Sequence, residues 1–237
     1  MIISSSLIFE YYFKNDIDKG HSYNSKNVFL ELLEEMKGSF DNQYPEYWRL
    51  LKNSGRRHLD RVQEGRQDDL RPMSLLIVAF EESAGTVDCY LEKVGKAYTN
   101  APYTTIQSTT FKGDDSRMLL DGRIKDSLRG KQKLAIIKNI DKLSFDAAQL
   151  FMTYADEHND VHTYPQSVIL MTAVLPFPSS NNRKADESRV GDYFMEETWA
   201  DQDTLDNKAA LWSRVGDGII IVRKEDKNPC ETSKKEL

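Results

Sequence analysis

Arg214 is a candidate for phosphate chemistry because it lies near the end of a predicted helix. We predict this helix over residues 204–215, with Leu205, Ala209 and Trp212 forming its buried stripe and Arg214 off that stripe. An arginine in the last turn stabilises the negative end of its own helix. A guanidinium at such a position can also bind a phosphate across an interface through two parallel hydrogen bonds. The residues alone leave both roles open.

The chain has two cysteines, Cys89 and Cys230, whose pairing the residue pattern leaves undecided. Cys89 lies about 200° around its predicted helix from the apolar stripe that starts at Val87, so we predict that it faces away from the sheet. Cys230 lies in a polar tail. A disulfide between them would hold that tail against the helix, a loop closure worth about 4–5 kcal/mol in the chain-entropy model. Two unrelated free thiols are the alternative.

The turn after the first predicted strand lacks the residues that hold a nucleotide phosphate. Residues 81–86 are Glu-Glu-Ser-Ala-Gly-Thr, with a single glycine, two carboxylates and no lysine. A phosphate loop needs several glycines for close backbone approach, together with a lysine. Because Glu81 and Glu82 would repel phosphate, we predict an ordinary turn and helix start here.

Asp141 follows the third predicted strand, where an ATPase places a metal-binding aspartate, usually with a second carboxylate. The two preceding residues are Asn and Ile, so we interpret Asp141 as a turn or helix-cap residue. His158 and His162 have the four-residue spacing of a helical metal pair, but Pro165 and the polar residues between them favour a helix-to-strand connection. We therefore predict no metal site and no cofactor.

Composition restricts the class of protein further. The 237 residues carry a formal net charge of -6 and are 39% hydrophobic, values typical of a globular protein with one buried core. Net negative charge argues against a nucleic-acid partner. The sequence contains neither a nucleophile elbow nor the zinc-protease helix motif. No run approaches the ~18 apolar residues of a membrane helix, and three serines interrupt the apolar N-terminal residues 1–9.

Apolar runs and helical stripes alternate from residue 74 onward, after two helical segments that start near Phe29 and Pro45. We predict strands over residues 74–80, 104–110, 133–138, 167–175 and 218–222. We predict helices over residues 87–98, 117–128, 145–157, 189–199 and 204–215. A polar loop at 176–189 separates the fourth strand from the last two of these helices. Met118, Leu119 and Leu128 are the predicted apolar side of the second of these helices. The order predicts an α/β fold with a mostly parallel five-stranded sheet, helices on both faces and an N-terminal helical segment.

This pattern divides the chain into three parts. Residues 1–24 show no periodicity and are predicted to be loosely ordered. Residues 25–232 form the predicted domain, and residues 233–237 a polar tail. That tail ends in Lys-Lys-Glu-Leu, one residue different from the Lys-Asp-Glu-Leu retention signal of the endoplasmic reticulum. A solvated charged tail is the alternative interpretation.

Several short motifs together resemble the torsin-1A-interacting protein family, the lamina-associated polypeptide 1 type and its endoplasmic reticulum relative. The segment Leu-Trp-Ser-Arg at 211–214, followed by an apolar strand and a late cysteine, resembles the end of the family domain. The other similar segments, in chain order, are 40–43, Trp48, 58–59, 74–80 with Cys89, and 154–159 leading into 167–175. The resemblance covers about residues 35 to 232.

The resemblance implies an AAA+-like large domain that lacks nucleotide-binding motifs. The family is not enzymatic; it binds the ATP-bound state of torsin, an AAA+ ATPase of the endoplasmic reticulum and nuclear envelope lumen. Torsin lacks an arginine finger, and Arg214 matches the family residue that supplies one in trans. The family's disulfide maps onto Cys89 and Cys230. The implied function is activation of ATP hydrolysis by the partner, in an oxidising lumen.

The resemblance leaves the route to the membrane and a second function open. Family members are type II membrane proteins, whereas this sequence has no full transmembrane helix. Residues 1–13 are interpreted as the remnant of a transmembrane helix, so that membrane association runs through a segment missing from this sequence. The alternative is a soluble chain that its C-terminal tail retains in the lumen. A structural tether in the lumen, indifferent to Arg214, is the alternative function. A nucleotide enzyme would need the phosphate loop or nucleophile that the sequence lacks.

Overall fold

A computed structural model describes residues 23–65, 72–129, 133–154, 164–200, 204–227 and 229–230. Its helices are α1 (Lys26–Ser39), α2 (Pro45–Glu64), α3 (Ala84–Tyr98), α4 (Ser116–Arg129), α5 (Phe145–Ala148), α6 (Phe151–Tyr154), α7 (Arg183–Asp192) and α8 (Leu205–Val215). Its strands are β1 (Met73–Phe80), β2 (Thr104–Gln107), β3 (Leu134–Lys138), β4 (Val168–Leu175) and β5 (Ile219–Val222). None of the described helices combines the length and apolar composition needed to cross a membrane.

The strands form one parallel sheet in the order β2-β3-β4-β1-β5. Strands β1 and β4 lie at its centre and are buried along almost their whole length. Burial on both faces explains why their sequences are apolar without alternation. The predicted α/β fold with a parallel five-stranded sheet is confirmed.

Helices cover both faces of the sheet. The crossover from β1 to β2 moves across the sheet in one direction, and every later connection moves back. Since parallel crossovers are right-handed, α3 lies on one face and α4 to α8 lie on the other. Helices α1 and α2 pack against α3, where Phe40 and Trp48 place their rings 5.2 and 5.6 Å from the ring of Tyr90. Helix α2 also contacts β1 and β5, so the N-terminal helical segment lies beside α3 on the same face of the sheet.

The buried side of α4 differs from the prediction. Met118 and Leu119 are 66% and 51% exposed, whereas Leu120, Ile124 and Leu128 are buried. The three buried residues repeat every four positions and form one helical stripe. The prediction for Met118 and Leu119 was wrong because the apolar residues of this helix fit two different helical phases.

The buried side of α8 also differs from the prediction. Leu205 is 72% exposed and Ala209 is exposed, while Leu211 and Val215 are fully buried. Trp212 is half-buried against the core. The last two turns of α8 therefore anchor this helix, and its first turn projects from the surface.

Two predicted helix boundaries change. The helix predicted over 145–157 is two short helices, α5 and α6, among its described residues. Helix α7 begins at Arg183, inside the predicted polar loop, because Asn182 Oδ1 accepts a hydrogen bond from the Ala185 amide at 3.1 Å. The chain after α7 continues as a π-helical turn over Tyr193–Thr198.

Two residues of the segment predicted to be loosely ordered are anchored in the fold. Tyr23 Oη donates to the carbonyl oxygens of Lys133 and Gln166, at 2.8 and 2.6 Å. Asn24 Nδ2 donates to the carbonyl oxygens of Lys96 and Ala97, both at 2.9 Å. Residues 1–22 and the tail 231–237 lie outside the described residues.

Candidate functional site: an arginine before the last strand

Arg214 lies in the last turn of α8, as predicted. Leu211 and Val215, on either side of it in sequence, are 0% and 1% exposed and fix this turn to the core. Arg214 is half-buried, and its Nη1 donates to Ser213 Oγ at 2.8 Å. Ser213 Oγ in turn donates to the Ala210 carbonyl at 2.8 Å. The guanidinium is thus held close to the helix end by its own neighbours.

The turn from α8 into β5 places Arg214 on the amino side of the sheet. Strand β5 is parallel to β1, with Ile219 opposite Leu76. The Leu76 amide donates to the Gly218 carbonyl at 2.8 Å, so the start of β5 is fixed beside the middle of β1. The four residue steps from Leu76 to Phe80 span roughly 13 Å of strand. Arg214 therefore lies well away from the carboxyl ends of the strands.

The carboxyl end of β1 carries the turn that a nucleotide-binding domain would use for phosphate. Here Glu81–Ser83 form a single 3₁₀ turn. The Phe80 amide donates to Ser83 Oγ at 3.0 Å, and the exposed Glu82 carboxylate accepts from the Ser179 amide at 2.9 Å. The turn is thus closed on itself and tied to the loop after β4. Two carboxylates at this point oppose the binding of a phosphate.

Asp141 lies in a 3₁₀ turn directly after β3, which agrees with its interpretation as a turn residue. Its side chain is 1% exposed and pairs with Lys142 Nζ at 2.8 Å. Hydrogen bonding to Asp141 raises the pKa of Lys142, with burial acting in the opposite direction. Asp141 is therefore paired with its own neighbour, whose side chain is half-exposed.

Cys89 and Cys230 form a disulfide with their Cα atoms 5.8 Å apart. Cys89 is 5% exposed although it lies off the predicted stripe that starts at Val87, and Cys230 of the tail packs against the core beside it. Cys230 is half-buried. The structure thus decides between the two alternatives that the sequence left open.

The disulfide borders a surface groove of about 360 Å³ between α3 and the edge of the sheet. Asp88 and Glu92 line it, and they pair with Lys138 and Lys96 respectively. Tyr103 forms part of the wall, where its ring contacts the position that a Cβ on Gly95 would occupy. The charged side chains of this groove are therefore engaged within the chain itself.

The described residues contain no group of three or more potential metal ligands. His158 and His162 lie outside the described residues. Arg214 and the disulfide lie on different sides of the sheet, on α8 and α3, so the structure does not bring these predicted site residues together. Sequence reasoning missed the hydrogen bond from Ser179 to Glu82 and the contact of Gly216 with the Trp212 ring, since both depend on tertiary packing.

Comparisons with known proteins agree with this architecture. Residues 11–231 match the family described as lamina-associated polypeptide 1, AAA+ activator domain. A curated relative, torsin-1A-interacting protein 1 of Bos taurus, is 20% identical in an alignment of 215 residues that covers 84% of this chain and 35% of that protein. The chain thus spans about a third of that relative's length.

A solved structure, the Hsp104–ADP complex of S. cerevisiae, matches 89% of this chain and 39% of its own chain. The TM-score is 0.56 at 11% sequence identity. This likeness concerns the fold alone, and it confirms the AAA+-like arrangement of strands and helices.

Proposed function

This chain belongs to the family of lamina-associated polypeptide 1 AAA+ activator domains, and we propose that it is a non-catalytic activator of a torsin-type AAA+ ATPase. The name of the bovine relative, torsin-1A-interacting protein 1, supports the choice of partner. The proposed partner binds in its ATP-bound state, because the activator acts on the γ-phosphate. The ATP and its metal belong to the partner, and this chain contributes protein groups only.

Arg214 is the residue proposed to act on the partner's ATP. Charge develops on the phosphoryl oxygens as the γ-phosphate is transferred to water. A planar guanidinium supplied from a neighbouring protein stabilises this charge, an effect typically worth about 10³–10⁵ in rate. At the end of α8, Arg214 would act across an interface, while Leu211 and Val215 hold the backbone in place.

The proposal rests on where Arg214 lies in relation to the turn after β1, the place where a nucleotide-binding domain of this fold would hold phosphate. Arg214 precedes the amino end of β5, whereas Glu81 and Glu82 follow the carboxyl end of β1. An arginine on the amino side of the sheet can reach a nucleotide bound to a neighbouring protein. It cannot reach a nucleotide at the turn after β1 of the same chain. The carboxylates at that turn oppose a resident nucleotide, which supports an activator without its own ATPase activity.

The proposed location is the lumen of the endoplasmic reticulum or the perinuclear space. A disulfide such as Cys89–Cys230 persists in an oxidising compartment and is rare in a reducing one. Association with a membrane is proposed to run through a segment outside the described residues. The compartment can be tested by placing a tagged chain in cells and probing its protection from protease.

The test of activation is ATP turnover by a purified torsin with this chain added. We expect stimulation by the wild-type chain and none by Arg214→Ala. In a pull-down, ATP-bound torsin should bind the wild-type and the Arg214→Ala chains equally. Arg123→Ala is the matched control, because Arg123 is an exposed arginine on α4. Equal stimulation by the wild type and Arg214→Ala would reject the finger. Binding without stimulation by either protein would favour a structural tether.

A further inference from the structure

Trp212 occupies a confined position two residues before Arg214. Its indole stacks on the ring of Phe194 at 5.4 Å, with 26° between the planes. On another side the ring lies over Gly216, where an added Cβ would approach ring atoms to 2.7 Å. An added Cβ at Gly191 would stand 3.4 Å from the ring, an ordinary contact distance.

The contact between Trp212 and Gly216 explains the glycine at the end of α8. The backbone of Gly216 has φ -93° and ψ 0°, angles that any residue can adopt. Its amide donates to the Trp212 carbonyl at 2.7 Å and closes the last turn. The glycine is therefore needed for space and not for conformation, since a side chain there would displace the indole.

The position of this ring, together with the buried Leu211 and Val215, fixes the rotation of the last turn of α8. Two residues correspond to about 200° around a helix, so Arg214 emerges on nearly the opposite side from Trp212. An indole seated against the π-helical turn therefore places the half-buried Arg214 on the opposite flank of α8. If the ring lost its seat, the last turn could rotate, and an error of about 1 Å at the reacting centre is enough to lower a rate 10²-fold.

We propose that Trp212, seated against Phe194 and over Gly216, is a positioning residue for Arg214 in the activation of the partner ATPase. This proposal rests on the proposed function, because it assigns a role to the neighbours of the same arginine. Trp212 acts on the partner's ATP only through Arg214. Loss of its seat lowers the maximal stimulation more than it changes the affinity between the two proteins.

The test compares four variants in the torsin ATPase assay, with the maximal stimulation and the half-saturating concentration measured separately. We expect Trp212→Leu and Gly216→Ala to lower the maximal stimulation at least tenfold and to change the half-saturating concentration less than threefold. Trp212→Phe keeps a ring to stack on Phe194 and should recover most of the stimulation. Gly191→Ala adds the same methyl group at ordinary contact distance, so it is the matched control and should stay within twofold of wild type.

A double-variant cycle separates positioning from general damage. In an Arg214→Ala background, Gly216→Ala should cause no further loss, because the group that it misplaces is already absent. Thermal unfolding of every variant identifies any that does not fold. If Trp212→Leu fails to fold, Gly216→Ala and Trp212→Phe decide the question.

Full stimulation by Gly216→Ala and Trp212→Leu, with loss in Arg214→Ala, would overturn the positioning role and leave the proposed function standing. A higher half-saturating concentration with unchanged maximal stimulation would assign Trp212 to binding, and this result would overturn the positioning role as well. Full stimulation by Arg214→Ala would overturn the proposed function, and the positioning role with it.

Discussion

The side-chain amide of Gln43 pairs with the backbone of Arg223 as a strand residue would. The Arg223 amide donates to Gln43 Oε1 at 2.8 Å, and Gln43 Nε2 donates to the Arg223 carbonyl at 2.9 Å. Gln43 Nε2 also donates to Glu225 Oε1 at 2.6 Å. One side chain in the turn between α1 and α2 thus continues the edge of the sheet just beyond β5 and guides the chain toward Cys230.

The Gln43 pairing predicts a measurable loss of stability on truncation. Gln43→Ala leaves the Arg223 amide and the buried Glu225 carboxylate without their shared partner. We expect the free energy of unfolding to fall by about 2 kcal/mol in urea denaturation. The control is Gln63→Ala, because Gln63 is exposed and its hydrogen bond to the Asn24 carbonyl is long, at 3.4 Å; this change should alter the free energy of unfolding by less than about 0.5 kcal/mol. Similar small effects of both variants would contradict a structural role for Gln43.

The disulfide predicts a large stability difference between oxidised and reduced protein. Cys89 and Cys230 are 141 residues apart, and closing such a loop is worth roughly 5 kcal/mol in the chain-entropy model. We expect Cys230→Ser to lower the melting temperature as much as full reduction does. The Cys89→Ser and Cys230→Ser changes should not add when combined, since either one removes the bond. Additive losses would indicate separate roles for the two residues.

Buried tyrosines predict unfolding in alkali. Burial raises the pKa of Tyr23, Tyr90 and Tyr98 above the ordinary value of 10.0. A raised pKa in the folded state means that the stabilisation is complete below pH 10 and declines as the pH rises above it, because the unfolded chain releases these protons first. We expect the tyrosinate absorbance at 295 nm that comes from these three residues to rise in one step together with loss of circular dichroism. Smooth titration of all tyrosines near pH 10 in the folded protein would contradict this burial.

The β1 turn predicts that the isolated chain does not bind ATP. Glu81 and Glu82 place two carboxylates where a phosphate would lie, and the turn offers no lysine. We expect calorimetry with Mg-ATP to give no binding heat at millimolar concentration. The Glu81→Ala/Glu82→Ala protein should behave in the same way, because removing repulsion does not create a cradle of backbone amides. Saturable binding by the wild type would indicate a nucleotide site elsewhere and weaken the activator account.

The strands of the sheet were predictable because the apolar composition that marks each of them lies within one short segment of the sequence. The segments 74–80 and 167–175 are apolar at nearly every position, and strands buried on both faces need that composition. The rotational phase of the helices was not predictable to the same degree. Leu119 and Leu120 are adjacent and equally apolar, yet only Leu120 is buried, since the connections to β2 and β3 decide which side faces the sheet.

The candidate site was predictable in part. A helix end carrying Arg214 follows from helical periodicity, and the missing phosphate loop follows from the residues after β1. The seat of Trp212 depends on the π-helical turn and on Gly216, which meet only in the folded chain. Asp186 likewise is 1% exposed because Ser179 and Ser180 fold back to hydrogen-bond its carboxylate, and no local pattern marks that contact.

The most direct test of the account is single-turnover ATP hydrolysis by a torsin saturated with this chain. Saturation removes differences in affinity, so the measured rate reports the chemical step. We predict that the wild-type chain accelerates the step, that Arg214→Lys retains a small part of the acceleration because lysine lacks the planar fork, and that Arg214→Ala retains none. Acceleration by saturating Arg214→Ala equal to that by the wild type would contradict the central claim.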